Sequence, residues 1–313
     1  MHLTNLLNDL IKQAGRLQKR KTAFHGKFIL VYSYSKSIAK PGDKRVVLFF
    51  LGRCIRTRRM YRPGFAICIT LEPMKCKLCE REVRLVASHI IPEFLYQTLY
   101  DSKHRFHQIS ADPSGQNQYK QKGLRETLLC EACEQHLSVP EQYMCRLLNG
   151  DIPATIVNKA GYIHLSGLDY PKLKLFQLSV LWRAGVSSLA PFSQVQLGPH
   201  EPRLRSMLLS DEPGLAADYG CIMATLMDGS ELLTGIVAAP TWARLAGLMA
   251  YRFVFGGIVF VFVVSSTTPP RAVVDAFARP DGSALVKLQQ ASEMKFLVDT
   301  VAKMHKLGRF ADE

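Results

Sequence analysis

Two Cys-x-x-Cys pairs are the residues of this chain with the clearest chemical spacing. The first pair is Cys76 and Cys79 in "CKLC", and the second is Cys130 and Cys133 in "CEAC". A gap of two residues lets both thiolates of a pair face one tetrahedral ion, and two pairs complete a closed structural zinc site. We therefore predict that these four cysteines bind Zn²⁺. Four unrelated buried thiols are the alternative.

One histidine stands between the two pairs, at the end of a run that predicts a β-strand. It is His89 in "RLVASHIIP". An imidazole suits general-base catalysis because its pKa lies near neutral pH. The alternative is a histidine that packs beside the zinc site and bonds only to the backbone.

The order of these elements resembles the HNH endonuclease family. The resemblance rests on "CKLC", "SHIIP" and "LLCEAC", and it covers the chain from Cys76 to the helix after Cys133. It implies a zinc-bound treble-clef fold and metal-dependent hydrolysis of phosphodiester bonds. It also implies that His89 is the general base that deprotonates a water, beside a second divalent ion, Mg²⁺ or Mn²⁺.

Several positions depart from the family pattern. Ser88 stands before the base, where the family usually has Asp, Glu or His, and residues 125–127 lack the common Asn. Glu134 follows the second pair in place of a signature histidine, with His136 two positions on. Side chains two apart in a helix diverge, so Glu134 and His136 do not bind the same ion. We assign Glu134, with Ser88, as the ligands of the divalent ion, because a carboxylate suits Mg²⁺ better than an imidazole does. A carboxylate that only stabilises the helix N-terminus is the alternative for Glu134.

The polar stretch between the pairs holds the candidates for phosphate contact. Residues 101–123 are rich in Gly, Pro, Ser and Asn, which predicts a surface loop. Surface residues without a ligand are the alternative for each candidate. The candidates are His104, His107, Lys120, Lys122 and Arg125.

The elements that must position these residues point to an α+β protein. We expect a zinc-bound treble-clef, HNH-like module over residues 74–150 and a larger, mixed α+β accessory domain over residues 151–313. A helix should begin near Cys130 and break before Pro140, with Ser138 and Glu141 capping a second helix. Further helices are predicted in "YPKLKLFQLSVLWRAGVSSL" and "ASEMKFLVDTVAKMHKL".

The most apolar stretch tests whether the protein is soluble. "LAGLMAYRFVFGGIVFVFVVSS", residues 245–266, approaches the length of a membrane span. However, it is rich in Val and Phe, and Gly256 and Gly257 divide it into two runs of strand length. We predict a buried β-hairpin and do not favour a membrane partner.

Residues 1–73 look like an addition to this plan. They hold 15 of the 40 Lys and Arg but only 3 of the 26 Asp and Glu, so most of the net charge of +14 precedes the cysteine pairs. A mis-assigned start, with Met74 as the natural beginning, and a basic arm that binds phosphates are the two interpretations. The opening residues lack the apolar core of a secretory signal, so we expect a cytoplasmic protein whose eight cysteines stay reduced.

Three functions remain open on this basis. The leading hypothesis is an HNH-like nuclease that cuts DNA, with RNA as the other substrate. The second is a catalytically inactive zinc module that binds nucleic acid or protein. The third is a membrane-associated effector that uses residues 245–266.

Overall fold

Fourteen strands and five α-helices form the part of the chain that this computed structural model describes, residues 28–31, 74–159 and 161–310. In chain order the strands are β1 (Phe28–Val31), β2 (Leu85–His89), β3 (Phe106–Ser110), β4 (Gln118–Lys120), β5 (Arg125–Cys130), β6 (Thr155–Lys159), β7 (Tyr162–Ser166), β8 (Cys221–Thr225), β9 (Met227–Asp228), β10 (Glu231–Leu232), β11 (Ile236–Leu245), β12 (Leu248–Phe255), β13 (Ile258–Val263) and β14 (Ala284–Lys287). The helices are α1 (Glu131–Asn149), α2 (Tyr170–Val186), α3 (Glu201–Leu209), α4 (Arg271–Val274) and α5 (Lys295–Lys306). The mixture of helices and strands agrees with the predicted α+β class.

A ten-stranded mixed sheet dominates the fold. Its strand order is β4-β3-β1-β11-β12-β13-β8-β14-β7-β6. Strand β1 pairs in parallel with both β3 and β11, and β14 pairs in parallel with β8, while the other neighbours are antiparallel. The seven strands from β11 to β6 are therefore joined to the β3–β4 hairpin through β1.

The predicted hairpin in residues 245–266 is confirmed as β12 and β13. These strands are antiparallel, with Phe255 opposite Ile258. The turn between them has positive φ at Gly256 (60°) and Gly257 (75°), the backbone that a tight two-residue hairpin requires. The hairpin lies in the middle of the sheet with its phenylalanines buried. Among the described residues, no helix is long and apolar enough to cross a membrane.

Helix α2 is present where the sequence predicts it, but it is buried on nearly every side. The carboxylate of Asp169 caps its first turn by accepting from the Lys172 N–H at 3.1 Å. The helix packs against α1 and α3, and Gln177 reaches Met223 of β8. Because it is enclosed in this way, α2 buries polar side chains as well as apolar ones.

The predicted helix break before Pro140 is wrong, because α1 continues through Pro140 to Asn149. The ring removes one intrahelical hydrogen bond, but Pro140 is itself buried on the face that carries the apolar side chains of the helix. The predicted capping box is absent as well. The Ser138 hydroxyl donates to the Gln135 carbonyl, and Glu141 forms an ion pair with Arg183.

The loop predicted over residues 101–123 is also wrong in part, because it contains β3 and β4. These strands form an antiparallel hairpin, and β3 continues the large sheet by pairing with β1. Phe106 and Ile109 of β3 are buried. The strand results from pairing with a distant segment, which the polar composition of the stretch does not reveal.

The hydrophobic core runs continuously across the domain boundary predicted at residue 150. One cluster joins Leu78, Leu129 and Tyr143 to Phe176 and Phe253. Of the predicted extension, residues 1–73, only the backbone of β1 lies within the described residues. That strand occupies an interior position of the sheet.

Candidate functional site

The four paired cysteines converge at one point. Their Sγ atoms all lie within 4.8 Å of one another, and Cys79 Sγ is 3.8 Å from Cys130 Sγ. A tetrahedral zinc ion with four sulfur ligands at about 2.3 Å would place the sulfurs about 3.8 Å apart. No disulfide joins them. The cluster can therefore hold a metal ion such as zinc.

Backbone geometry on both sides of the cluster directs the sulfurs inward. The Cys76 N–H donates to the Arg81 carbonyl at 2.9 Å, which closes a tight turn with Glu80 at φ 59°. The second pair stands where β5 ends and α1 begins, and the Cys130 N–H donates to Cys76 Sγ at 3.3 Å. Strands β2 and β5 pair antiparallel between the two turns, and so hold them together.

The thiols differ in how readily they ionise. Burial raises the pKa of Cys76 and of Cys133. At Cys79 burial also acts to raise the pKa, but the Arg81 side chain donates a hydrogen bond to the sulfur at 3.4 Å and outweighs it, so the pKa falls to about 6. Buried thiols that must ionise together need a cation between them, which agrees with a metal site.

His89 ends β2 and lies within hydrogen-bond distance of a carboxylate that the sequence reasoning missed. Its Nε2 lies 2.9 Å from Oε2 of Glu93, and 22% of the histidine side chain is exposed. Glu93 opens the 3₁₀-helix Glu93–Leu99, directly after Pro92. The signal in the sequence was a carboxylate four residues after the histidine, with a proline turning the chain between them.

Glu93 is fixed by two further contacts. The Tyr100 hydroxyl donates to Oε1, and the Gly123 N–H donates to Oε2 at 3.2 Å. With the carboxylate held on both oxygens, the imidazole of His89 has one orientation relative to it. This arrangement resembles the carboxylate–histidine pairs that orient general bases.

Burial lowers the pKa of His89 below its ordinary value. The charges of Arg125 and Arg183 act in the same direction, whereas those of Glu93 and Glu134 raise the pKa. The imidazole is therefore neutral at pH 7. In the tautomer that donates from Nε2 to Glu93, Nδ1 carries the lone pair that can accept a proton.

Glu134 and Ser88, the predicted ligands of a divalent ion, each present a buried oxygen. Oε2 of Glu134 and the hydroxyl of Ser88 have no hydrogen-bond partner among the described residues. Ser88 is fully buried, and neighbouring side chains of a strand leave on opposite faces, so its hydroxyl and the imidazole of His89 diverge. Within the described ranges, the four cysteines are the only group of three or more His, Cys, Asp or Glu side chains that converge as metal ligands.

His136 points away from this region. Its Nε2 lies 2.7 Å from the Leu208 carbonyl at the end of α3 and 3.3 Å from the Asp211 carboxylate. Glu134 and His136 therefore face different neighbours, as their spacing in a helix suggests.

The candidates for phosphate contact are divided between two places. Arg125 lies opposite His89 in the β2–β5 pair. The others lie on the β3–β4 hairpin or beside it. His104 stacks on Tyr100 with ring centres 3.9 Å apart, His107 stacks on Tyr119 at 4.8 Å, Lys120 ends β4 and Lys122 is exposed.

A second residue missed by the sequence reasoning comes from α2. The Arg183 side chain is completely buried, and its Nη1 donates to the backbone carbonyl of His89 at 2.6 Å. A lone charged residue in the mostly apolar run "FQLSVLWRAGV" was its only signal.

No family model, curated protein or solved structure matches the chain. Its function is therefore argued from this site.

Proposed function

We propose that residues 74–150 form an HNH-like nuclease module with a treble-clef zinc site, and that it hydrolyses phosphodiester bonds in DNA, with RNA as the other substrate. One observation carries the proposal. A neutral histidine, oriented by a fixed carboxylate, ends the strand that lies between two cysteine pairs. The chemistry of the four thiolates favours Zn²⁺ as the structural ion.

The reaction follows from the protonation state of His89. Nδ1 takes a proton from a water, whose oxygen attacks the phosphorus, and the bond from phosphorus to the leaving oxygen breaks. The leaving oxygen takes a proton from solvent. Glu93 stabilises the imidazolium that forms, and general-base catalysis of this kind contributes about 10²- to 10⁴-fold in rate.

Glu134 is the residue that would hold a divalent ion, with Ser88 as a further oxygen. When bound, Mg²⁺ or Mn²⁺ supplies a Lewis acid that polarises the phosphate ester. A small set of protein ligands suits magnesium, because this ion usually keeps several waters and is bound through one or two carboxylates together with substrate phosphates. The unpartnered Oε2 of Glu134 supports this assignment.

Cleavage of supercoiled plasmid tests the proposal directly. The full chain, with Mg²⁺ or Mn²⁺, should nick the plasmid, and His89→Ala should lose about a hundredfold or more in rate at an unchanged melting temperature. His305→Ala is the control, since His305 is an exposed histidine of α5 that belongs to none of the candidate sets. Equal cleavage by His89→Ala and the parent would remove His89 as the base.

A second candidate is a zinc module that binds nucleic acid or protein without cutting. The absence of a second converging group of three metal ligands among the described residues favours it. In that case nucleic acid binds, no metal-dependent cleavage is seen, and His89→Ala binds like the parent. We place either activity in the cytoplasm, because the two Cys-x-x-Cys pairs suit a metal ion better than disulfides.

A further inference from the structure

Arg183 links α2 to the end of β2 through three contacts. Nη1 donates to the His89 carbonyl at 2.6 Å, and Nη2 contacts the Glu141 carboxylate and the Ser179 hydroxyl, the latter at 3.4 Å. The guanidinium is fully buried, so it cannot contact a substrate. Its partners come from β2, from α1 and from its own helix.

A buried guanidinium is costly unless its charge is paired and its N–H groups are bonded. Burial lowers the pKa of Arg183 to about 10, and the nearby charge of Glu134 acts in the opposite direction. The group is still a cation at pH 7. Because a planar guanidinium offers donors in fixed directions, it holds the His89 carbonyl and Glu141 at one separation and angle.

We propose that Arg183 is the positioning residue for His89, and that through it α2 sets the orientation of the imidazole. The backbone carbonyl that it binds belongs to the residue whose side chain is paired with Glu93. Fixing this peptide fixes the start of the turn that carries both groups. The part of the chain beyond residue 150 would then serve the site directly, and not only as a separate accessory domain.

His89 is then held at two points. Arg183 binds its backbone carbonyl, and Glu93 binds its imidazole. Losing the guanidinium releases the first point and leaves the second, so the ring should move between orientations. This effect is local to His89 and is separate from unfolding.

The test measures the mobility of the His89 imidazole by NMR relaxation in the full chain. The double variant Arg183→Met/Glu141→Gln removes both partners of the ion pair, which is milder than leaving one buried charge alone. Its order parameter for the ring C–H bonds of His89 should fall from about 0.85 towards about 0.6, from a rigid to a flexible group. Arg183→Lys retains the charge but not the planar set of donors, so its order parameter should also fall, while the rate falls about tenfold.

Arg205→Met is the matched control, because Arg205 also joins the C-terminal part of the chain to the zinc module. It donates to the Leu78 carbonyl at 3.2 Å and pairs with Glu80 at 3.4 Å, next to the cysteine turn. Its removal should leave the order parameter of the His89 ring unchanged. An unchanged order parameter in the folded double variant, or an equal fall in Arg205→Met, would overturn the proposal. Should the double variant not fold, an unchanged order parameter in Arg183→Lys overturns it.

The effect on rate depends on the nuclease function proposed above, but the order parameter does not. A more mobile His89 ring in the variants of a protein that cuts nothing would support the role of Arg183 and reject the nuclease. Cleavage that depends on His89, with an unchanged order parameter in the folded double variant, would support the nuclease and reject the role of Arg183.

Discussion

The four-cysteine site takes its ligands from two short turns, whereas His89 takes its charged neighbours from four separate elements. The turns are held together by one strand pair, β2 and β5. The neighbours of His89 come from the 3₁₀-helix, β5, α1 and α2, and the last of these lies beyond residue 150. Losing one ligand of the cysteine site should therefore unfold the chain around it. Losing one neighbour of His89 should instead leave the protein folded and change the orientation of the imidazole.

The largest effect is expected at the cysteines. Cys76→Ser or Cys130→Ser should lose zinc and unfold residues 74–150, since a structural zinc ion contributes on the order of 10 kcal/mol to folding. Zinc content and thermal melting measure this. Cys145→Ser is the control, because Cys145 lies outside the cluster. Full zinc content and an unchanged melting temperature in Cys76→Ser would contradict the expectation that the cysteine site is lost by unfolding.

Removing residues 1–73 should damage the sheet but not the zinc site. A chain that starts at Met74 lacks β1, so β3 and β11 lose their common neighbour and expose unpaired edges. We expect poor solubility and a melting temperature lower by roughly 10 °C, with zinc still bound. A chain that starts at Lys27 keeps β1 and is the control. A soluble Met74 variant with the parent's melting temperature would show that β1 does not stabilise the sheet.

Glu134 and Glu131 separate metal binding from helix stabilisation. Both are acidic residues in the first turn of α1, but Glu131 is exposed. Glu134→Ala should raise the Mg²⁺ concentration needed for cleavage by about tenfold, while Glu131→Ala should leave it unchanged. Metal titrations of the two variants measure this. If the two variants lower the melting temperature equally and neither changes the metal dependence, Glu134 acts only as a charge at the helix N-terminus.

The smallest effect is a shift in pH dependence. Activity should require neutral His89 and be lost as pH falls through a pKa below the ordinary histidine value, because burial lowers that pKa. The charge of Glu93 raises it, so Glu93→Gln should move the acid limb of kcat/KM to lower pH and slow the plateau rate by roughly tenfold. Tyr100→Phe keeps the carboxylate and should move the limb less. A limb that moves to higher pH would contradict the charge assignment.

Local spacing explains which parts of this molecule could be predicted. The Cys-x-x-Cys pairs converge, and Gly256 and Gly257 divide an apolar run into a hairpin, because both features depend on residues a few positions apart. The helix over residues 170–186 was found for the same reason. Whether zinc is bound and whether the site cuts nucleic acid remain predictions.

Long-range contacts explain what could not be predicted. Glu141 looked like a capping residue because its partner, Arg183, lies about 40 residues later in the chain. Strand β3 lies between the nearby β4 and the distant β1, and its pairing with β1 leaves no local signal in the sequence. Pro140 stays within α1 because tertiary packing outweighs the loss of one backbone hydrogen bond.

The position of β1 also has a consequence for the order of folding during synthesis. Phe28 pairs with Ile236, roughly 200 residues later in the chain, and parallel pairing at such separation is slow because a long loop must close first. All four clustered cysteines are available once Cys133 has left the ribosome, whereas β1 must wait for β11. Until then β1 lacks its β11 partner and is open to pairing with other chains, so the yield of native protein should depend on chaperones and on translation rate.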